Sequence, residues 1–183
     1  RSMLRHDPEV MMVGEVRDQE SADITIRMAL TGHLVFSTLH TNDSPGAITR
    51  LLDMGIEPYL ISSTILAFIG QRLVRTICQE CKQVDTEPLV LTVKPHEQVP
   101  KTIYKGKGCD ACRHSGYRGR MGIYEVLVLN DAVRQLIMSK APAETIKQQL
   151  LDKGWKTMRQ DGWQKVAAGK TTPEEVLRVT MYD

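Results

Sequence analysis

Apolar positions along the chain fall into runs of different periodicity, and these runs set its organisation. Residues 10–13 form a short all-apolar run, the pattern of a strand buried on both faces rather than of one that alternates. Gly14 frees the backbone after it and Glu15 follows. Asp18 then stands as N-cap of a helix whose stripe is Ala22, Ile26, Ala29 and Leu30, with Gly32 as its stop. A second strand-like run covers 34–39 and ends in the polar cluster His40, Thr41, Asn42 and Asp43. Strand, helix, strand predicts a parallel pair joined by a right-handed crossover. Glu15 and His40 fall where each strand runs out, and ligands of open α/β sheets bind at the carboxyl ends of strands.

Further along, Ser44 and Pro45 read as N-cap and first helical residue of a helix that turns Ile48, Leu51 and Leu52 inward and ends before Gly55. Glu57 and Pro58 open a second helix. Its apolar residues, including Leu60, Ile65, Phe68, Ile69 and Val74, cover most of its surface as far as Thr76, which predicts a buried helix. The segment 78–120 changes character: it is polar, rich in turn residues and interrupted by Pro88, Pro95 and Pro100. A strand-like run resumes at 123–129. Short helical pieces follow: one capped by Asp131, one running from Pro142 to a stop at Gly154, one stopped by Gly169. The last is announced by Thr172, Pro173 and a capping-box Glu175. The division expected is 1–77, 78–120 and 121–183, the last a strand followed by a small helical subdomain.

With 183 residues, 42% of them hydrophobic and 25% charged, the chain has the make-up of an ordinary globular protein with a real core. A net charge of +2 gives no global field that would draw nucleic acid or membrane. A zinc-ribbon nucleic-acid binder is further disfavoured by an aromatic content of 5%, which leaves few rings for base stacking. The longest charge-free apolar stretch, 59–71, is too short to span a bilayer. RSMLRHDPE carries charges throughout and lacks the pattern of a signal peptide.

All four cysteines occur as Cys-x-x-Cys pairs, Cys78 with Cys81 and Cys109 with Cys112. Two such knuckles can meet at one tetrahedral ion, and an all-sulfur ligand set favours zinc. Four thiolates leave no open coordination position, so the expected role is structural, in a reducing compartment such as the cytoplasm. Around the second knuckle Lys101, Lys105, Lys107, Arg113, Arg118 and Arg120 face the single acid Asp110. That excess reads as charge balance for the metal site or as a patch for acidic lipid or a protein partner.

Taken alone, Glu15 reads as a surface carboxylate and His40 as a loop histidine. Together at adjacent strand ends, with Arg17 and Asp18 beside the first, they point to a phosphate or metal site.

LRHDPEVMMVGEVRDQESA and TGHLVFSTLHTNDSPGAITRLLDMGIEP resemble the secretion ATPase superfamily of RecA-like P-loop NTPases. GEVRD resembles its Walker B motif and TGHLVFSTLHTN its histidine box. GQRLVRTICQECK, GCDACRHSGYRGRMGIYEV and MRQDGWQKVAAGKTTPEEVLRVT are similar to the type IV pilus assembly and type II secretion branch. Pilus-retraction relatives generally lack the four-cysteine insert.

The resemblance implies an α/β fold: the second half of a RecA-like P-loop NTPase domain, a zinc-binding insert and a small C-terminal helical subdomain. It implies Glu15 as the Walker B carboxylate acting on magnesium through its water shell, His40 at the γ-phosphate, and His33 as the second histidine of the box. Arg1 and Arg5 match arginines near the subunit boundary. ATP and magnesium would be cofactors of the full-length protein, a homo-hexamer on the cytoplasmic side of the inner membrane, held there peripherally by a membrane platform and accessory proteins, without nucleic acid.

The chain contains no G-x-x-x-x-G-K-[ST]. The Walker A loop therefore lies outside it, and the expectation is a C-terminal fragment that does not turn over ATP by itself. The competing reading is a zinc-stabilised protein-interaction module without nucleotide chemistry.

Overall fold

The computed structural model describes residues 8–86 and 100–181. Arg1, Arg5, Pro88 and Pro95 lie outside the described residues. Thirteen regular elements follow in order: β1 (Val10–Met12), α1 (Gln19–Leu30), β2 (Leu34–Phe36), α2 (Ser44–Asp53), α3 (Pro58–Thr64), β3 (Ala67–Ile77), β4 (Lys82–Val84), β5 (Tyr104–Gly106), β6 (Tyr117–Val128), α4 (Asp131–Met138), α5 (Ala143–Asp152), α6 (Met158–Ala167) and α7 (Pro173–Val179), with a 3-10 turn at Asp110–Cys112. They divide into two compact units: Arg1–Ile69 with Val126–Trp155, and Gly70–Glu125 with Lys156–Asp183. The chain passes from the first unit to the second along β3 and returns along β6, and these two strands pair with each other.

In the first unit β1 and β2 pair in parallel, with Val10, Met11 and Met12 opposite Leu34, Val35 and Phe36. α1 connects them and packs on β2. Its start is the one expected: Asp18 caps it, accepting from the Ser21 N–H, and Ser21 completes a capping box. Its inward face differs from the expected stripe: Ala22, Ile26 and Met28 are buried, while Ala29 is only partly buried and Leu30 is half exposed. Both strands are shorter than the apolar runs, and only one face is covered. Met11 is 3% exposed, but Val10, Met12, Leu34 and Phe36 are all over 40%. The all-apolar run meets a layer on the α1 side, and none of the described residues covers the other.

The core of this unit gathers Ile26, Ile48, Leu51, Ile61, Phe68, Leu127, Val133, Ile137 and Ile146. α3 packs against α4 and α2 against α5, so segments far apart in sequence close over the same apolar interior.

The expected long helix over 58–76 is instead α3 followed by β3. Ile65 already has extended backbone, and beyond it Phe68 and Val74 point in while Ile69 and Leu73 point out. Periodicity alone does not separate a buried helix from a strand that is apolar on both faces. Pairing with β6 decides the matter: the β-branched Ile69, Val74, Thr76 and Ile77 suit a strand, and Gly70 leaves room for Glu125 of β6, whose Cγ would lie 2.7 Å from a Cβ there. β6 begins at Tyr117, six residues before the expected run.

The second unit is built around the lower parts of β3 and β6, the β4–β5 antiparallel pair, α6 and α7. Val74, Ile123 and Met158 form one buried group; Ile103, Trp163, Val166 and Val176 form another. The helices after β6 are therefore shared out, α4 and α5 to the first unit and α6 and α7 to the second.

Three caps differ from expectation by local geometry. Asp43 rather than Ser44 caps α2, Asn130 rather than Asp131 caps α4, and α7 has no side-chain cap. Glu175, read as the capping-box residue of α7, is turned inward at 1% exposure. Its carboxylate takes the Arg75 N–H and guanidinium at 2.8 Å each and the Arg178 guanidinium at 2.8 Å.

Candidate functional site

Beyond the regular part of β1 and β2 the two chains stay in register through irregular pairs. Val13 N–H donates to Phe36 O and Val16 N–H to Thr38 O, each at 2.8 Å, and Thr38 Oγ1 donates to Gly14 O at 2.7 Å. These bonds carry Glu15 and His40 out of the carboxyl ends of the strands side by side. His40 Nε2 lies 3.1 Å from Glu15 Oε2. Arg17 Nε reaches the same oxygen at 2.6 Å. Through that bond Arg17 holds the Glu15 carboxyl below the ordinary carboxylate range; partial desolvation opposes it, and His40 adds to the lowering. Glu15 is partly shielded, while the His40 ring is 83% exposed. The arrangement is an ionised carboxylate and an imidazole at the mouth of a parallel pair, open to a ligand from solvent.

The other predicted site residues divide clearly. His33 sits at the opposite end of β2, where Nδ1 is 2.8 Å from Thr31 Oγ1 and 3.0 Å from Met28 O, so it closes the corner between α1 and β2. Seven residues of near-extended chain, roughly 20 Å, separate it from His40. Arg1 and Arg5 lie outside the described residues. Arg17 was legible only as a neighbour in sequence. That it is the strongest partner of Glu15 follows from geometry alone.

The second candidate site is in the other unit. Cys78 and Cys81 follow β3, Cys109 is the N-cap of the 3-10 turn and Cys112 its last residue. Their four sulfurs lie within 4.8 Å of one another. Cys78 to Cys109 and Cys81 to Cys112 are both 3.9 Å, and Cys109 to Cys112 is 3.8 Å. A tetrahedral zinc with Zn–S of about 2.3 Å has sulfur–sulfur edges of about 3.8 Å. The cluster therefore has the dimensions of a four-thiolate metal site. Backbone N–H groups already point at the sulfurs: Gly108 to Cys81 at 3.3 Å, and Cys109 and Gly116 to Cys112 at 3.2 and 3.3 Å.

Burial pushes the Cys81 thiol up to about 12. At Cys112 burial acts the same way, but the N–H groups of Cys109 and Gly116 outweigh it and bring it down to about 6. Four thiolates gathered at these distances need a cation between them.

Close backbone packing forms these knuckles. A Cβ on Gly106 would come within 2.1 Å of Gly116 O, the carbonyl that accepts from Cys78 N–H at 2.9 Å. Arg113 and His114 adopt left-handed backbone in the turn out of the second knuckle. Two of the surrounding cations have carboxylate partners, Lys105 with Asp85 at 2.8 Å and Arg118 with Glu80 at 3.0 Å, and the His114 ring lies 3.2 Å from Asp110. Their charge is balanced locally by acids of the first knuckle and of β4's exit as well as by the sulfurs.

No helix among the described residues is long and apolar enough to cross a membrane.

A family model described as type II/IV secretion system protein matches residues 1–178. Type II secretion system protein E of Pseudomonas aeruginosa is 49% identical over 184 residues, covering 98% of this chain and 36% of that protein. The type IV pilus assembly ATPase PilB of Myxococcus xanthus is 44% identical over 188 residues, covering all of this chain and 33% of its own length. Among solved structures, the pilus retraction motor PilT with bound ADP superimposes with a TM-score of 0.65 at 27% identity, over 98% of this chain and 41% of that one. The chain spans about a third of the length of these curated relatives. With a whole-chain match and relatives near half identity, it belongs to the type II/IV secretion system protein family.

Proposed function

We propose that this chain is the C-terminal part of a hexameric ATPase that powers type II protein secretion or type IV pilus assembly. Its first unit would be the second half of a RecA-like nucleotide-binding domain. The observation that carries this reading is the Glu15–His40 contact at the carboxyl ends of a parallel strand pair, where α/β folds bind their ligands. Phosphoryl transfer relies on positioning and charge neutralisation more than on covalent chemistry. Magnesium and ATP would supply the cation and the phosphoryl group.

The chain's own residues do the rest. Glu15, kept ionised by Arg17, would accept hydrogen bonds from the cation's water shell. His40, whose ring is exposed, would turn its Nε2–H from Glu15 toward the γ-phosphate when nucleotide binds. His33 keeps the far end of β2 in place, and Arg1 and Arg5 act at the subunit boundary. Cys78, Cys81, Cys109 and Cys112 hold a structural zinc, whose binding organises the knuckles without joining the chemistry. The protein would work on the cytoplasmic side of the inner membrane, attached through a membrane platform and accessory proteins, a setting supported by relatives named for type II secretion and type IV pilus assembly.

The test is phosphate release by the protein carrying this chain together with the upstream segment of its relatives. Magnesium-dependent turnover is expected there, falling roughly 100-fold or more in Glu15→Gln and His40→Ala. The 183-residue chain alone is expected to show none. Turnover by the chain alone, abolished by Glu15→Gln, would overturn its dependence on an upstream phosphate loop. Full turnover in Glu15→Gln of the longer protein would overturn the site.

A further inference from the structure

Lys147, on α5, lies 104 residues after Asp43, and its Nζ is 3.4 Å from Asp43 Oδ2. Both side chains are mostly buried, at 18% and 22% exposure. The two oxygens of Asp43 are divided: Oδ1 accepts the Gly46 N–H at 2.8 Å and so caps α2, while Oδ2 faces the ammonium. Gly46 makes room for this, because a Cβ there would come within 2.7 Å of Oδ1. α5 packs on α2 over the same stretch.

Asp43 closes the four-residue loop that begins at His40. The other end of that loop is fixed by Thr38, through its bonds with Gly14 and Val16, and by Leu39, which packs on the core. Between these two anchors the His40 ring is 83% exposed, with Glu15 as its side-chain partner. An exposed ring has no packing to hold it, so its position is set by where the two ends of its loop are tied.

We propose that Lys147 is a positioning residue for His40: by fixing Asp43 from α5 it holds the second anchor of the histidine loop, and so ties the Glu15–His40 geometry to the α4–α5 part of the first unit. A lysine mostly withdrawn from water is costly unless it is paired, so the contact favours one placement of α5 over the loop. The link to turnover rests on the function proposed above; the link to His40 does not.

Two measurements separate the two. In this chain, NMR of the histidine rings gives a direct reading, with His33 as internal control because it lies at the far end of β2. Lys147→Met is expected to shift the His40 ring and the amides of 41–46 while His33 stays put, and Lys147→Arg to restore the wild-type positions. An unmoved His40, or equal movement of His33 and His40, overturns the proposal and leaves a plain packing contact. In the longer protein Lys147→Met is expected to lower kcat roughly 3- to 10-fold at unchanged KM, with no further loss when combined with His40→Ala. Additive losses overturn the coupling even if Glu15→Gln is inactive. If Glu15→Gln stays active, the functional reading falls, and the ring shifts still decide the role of Lys147.

Discussion

Arg75 and Glu175, a hundred residues apart, are joined twice, once through the backbone N–H of Arg75 and once through its guanidinium, each at 2.8 Å. The carboxylate is 1% exposed, and the Arg75 guanidinium also lies 4.0 Å over the ring of Tyr117. Burial would push the Glu175 carboxyl up, but the bonds from Arg178 and Arg75 outweigh it and hold it at about 2.

A folded-state value below the ordinary carboxylate range gives stability that is complete above about pH 4.5 and is lost as pH falls through about 2. Both guanidinium partners are half exposed, so the contribution is on the order of 2 kcal/mol rather than the full shift. Glu175→Gln should lower urea-unfolding stability by about that amount at pH 7. The gap from wild type should narrow steadily between about pH 4.5 and 2. A gap that stays constant over that range would show that Glu175 is not ionised through this pairing.

Gly106 and Gly116 lie back to back where β5 passes the second knuckle. Gly106→Ala forces its Cβ against the Gly116 carbonyl, which accepts from Cys78 N–H, and Gly116 itself donates to Cys112 Sγ. Disturbing groups that support ligands typically costs 10- to 100-fold in metal affinity. The expectation for Gly106→Ala is zinc retention weaker by roughly that factor against a chromogenic chelator. Gly14→Ala, where a Cβ meets nothing within 4 Å, should leave it unchanged. Equal retention in all three proteins would mean that the knuckles tolerate the displaced carbonyl.

The sequence makes visible what is local. Asp18 and Ser21 announce α1 because a cap is a contact between residues three apart, and the Cys-x-x-Cys pairs announce the cluster because a knuckle is a local turn. Glu15 and His40 were legible for a related reason: each ends an apolar run, and strand ends converge in a parallel pair. Ile65, Phe68, Ile69 and Val74 mislead, since apolar residues on every side of 58–76 suit a buried helix as well as a strand, and the pairing that decides is with β6, some fifty residues on. Glu175 misled in the same way. Thr172, Pro173 and Glu175 spell a capping box locally, but Arg75 makes a stronger claim on the carboxylate. Lys147 is one lysine on an amphipathic helix, and only the fold brings it to Asp43.

The chain's two tryptophans fall one in each unit, so they can report separately on the metal. Trp163 is 4% exposed and packs with Ile103, which precedes β5 and the second knuckle. Trp155 belongs to the first unit, where its Nε1 donates to Val126 O at 2.8 Å. Zinc sites of this kind contribute directly to folding. One zinc per chain is expected, and a strong chelator should shift Trp163 emission to the red in Trp155→Phe while leaving Trp155 emission unchanged in Trp163→Phe. If no zinc is released, or if both tryptophans respond together, the metal does not organise the second unit by itself.

Ile61, on α3, has no exposed surface, and its neighbours in the core include Leu127 on β6, Ile137 on α4 and Ile146 on α5. The first unit is thus assembled from two stretches of chain with the whole second unit's β-segment between them in sequence. Neither stretch buries its apolar face alone, so a cavity at the seam should weaken both together. Ile61→Ala removes three carbons from a site that α3 and α4 share, and its expected cost is about 2–5 kcal/mol. Ile69→Ala, at 64% exposure on β3, should change stability by no more than about 0.5 kcal/mol. Urea unfolding followed at Trp155, which packs against the same core, is the measurement. A cost at Ile61 no larger than at Ile69 would mean that α3 and α4 fold independently, and that the core of the first unit is not the single apolar interior these contacts describe.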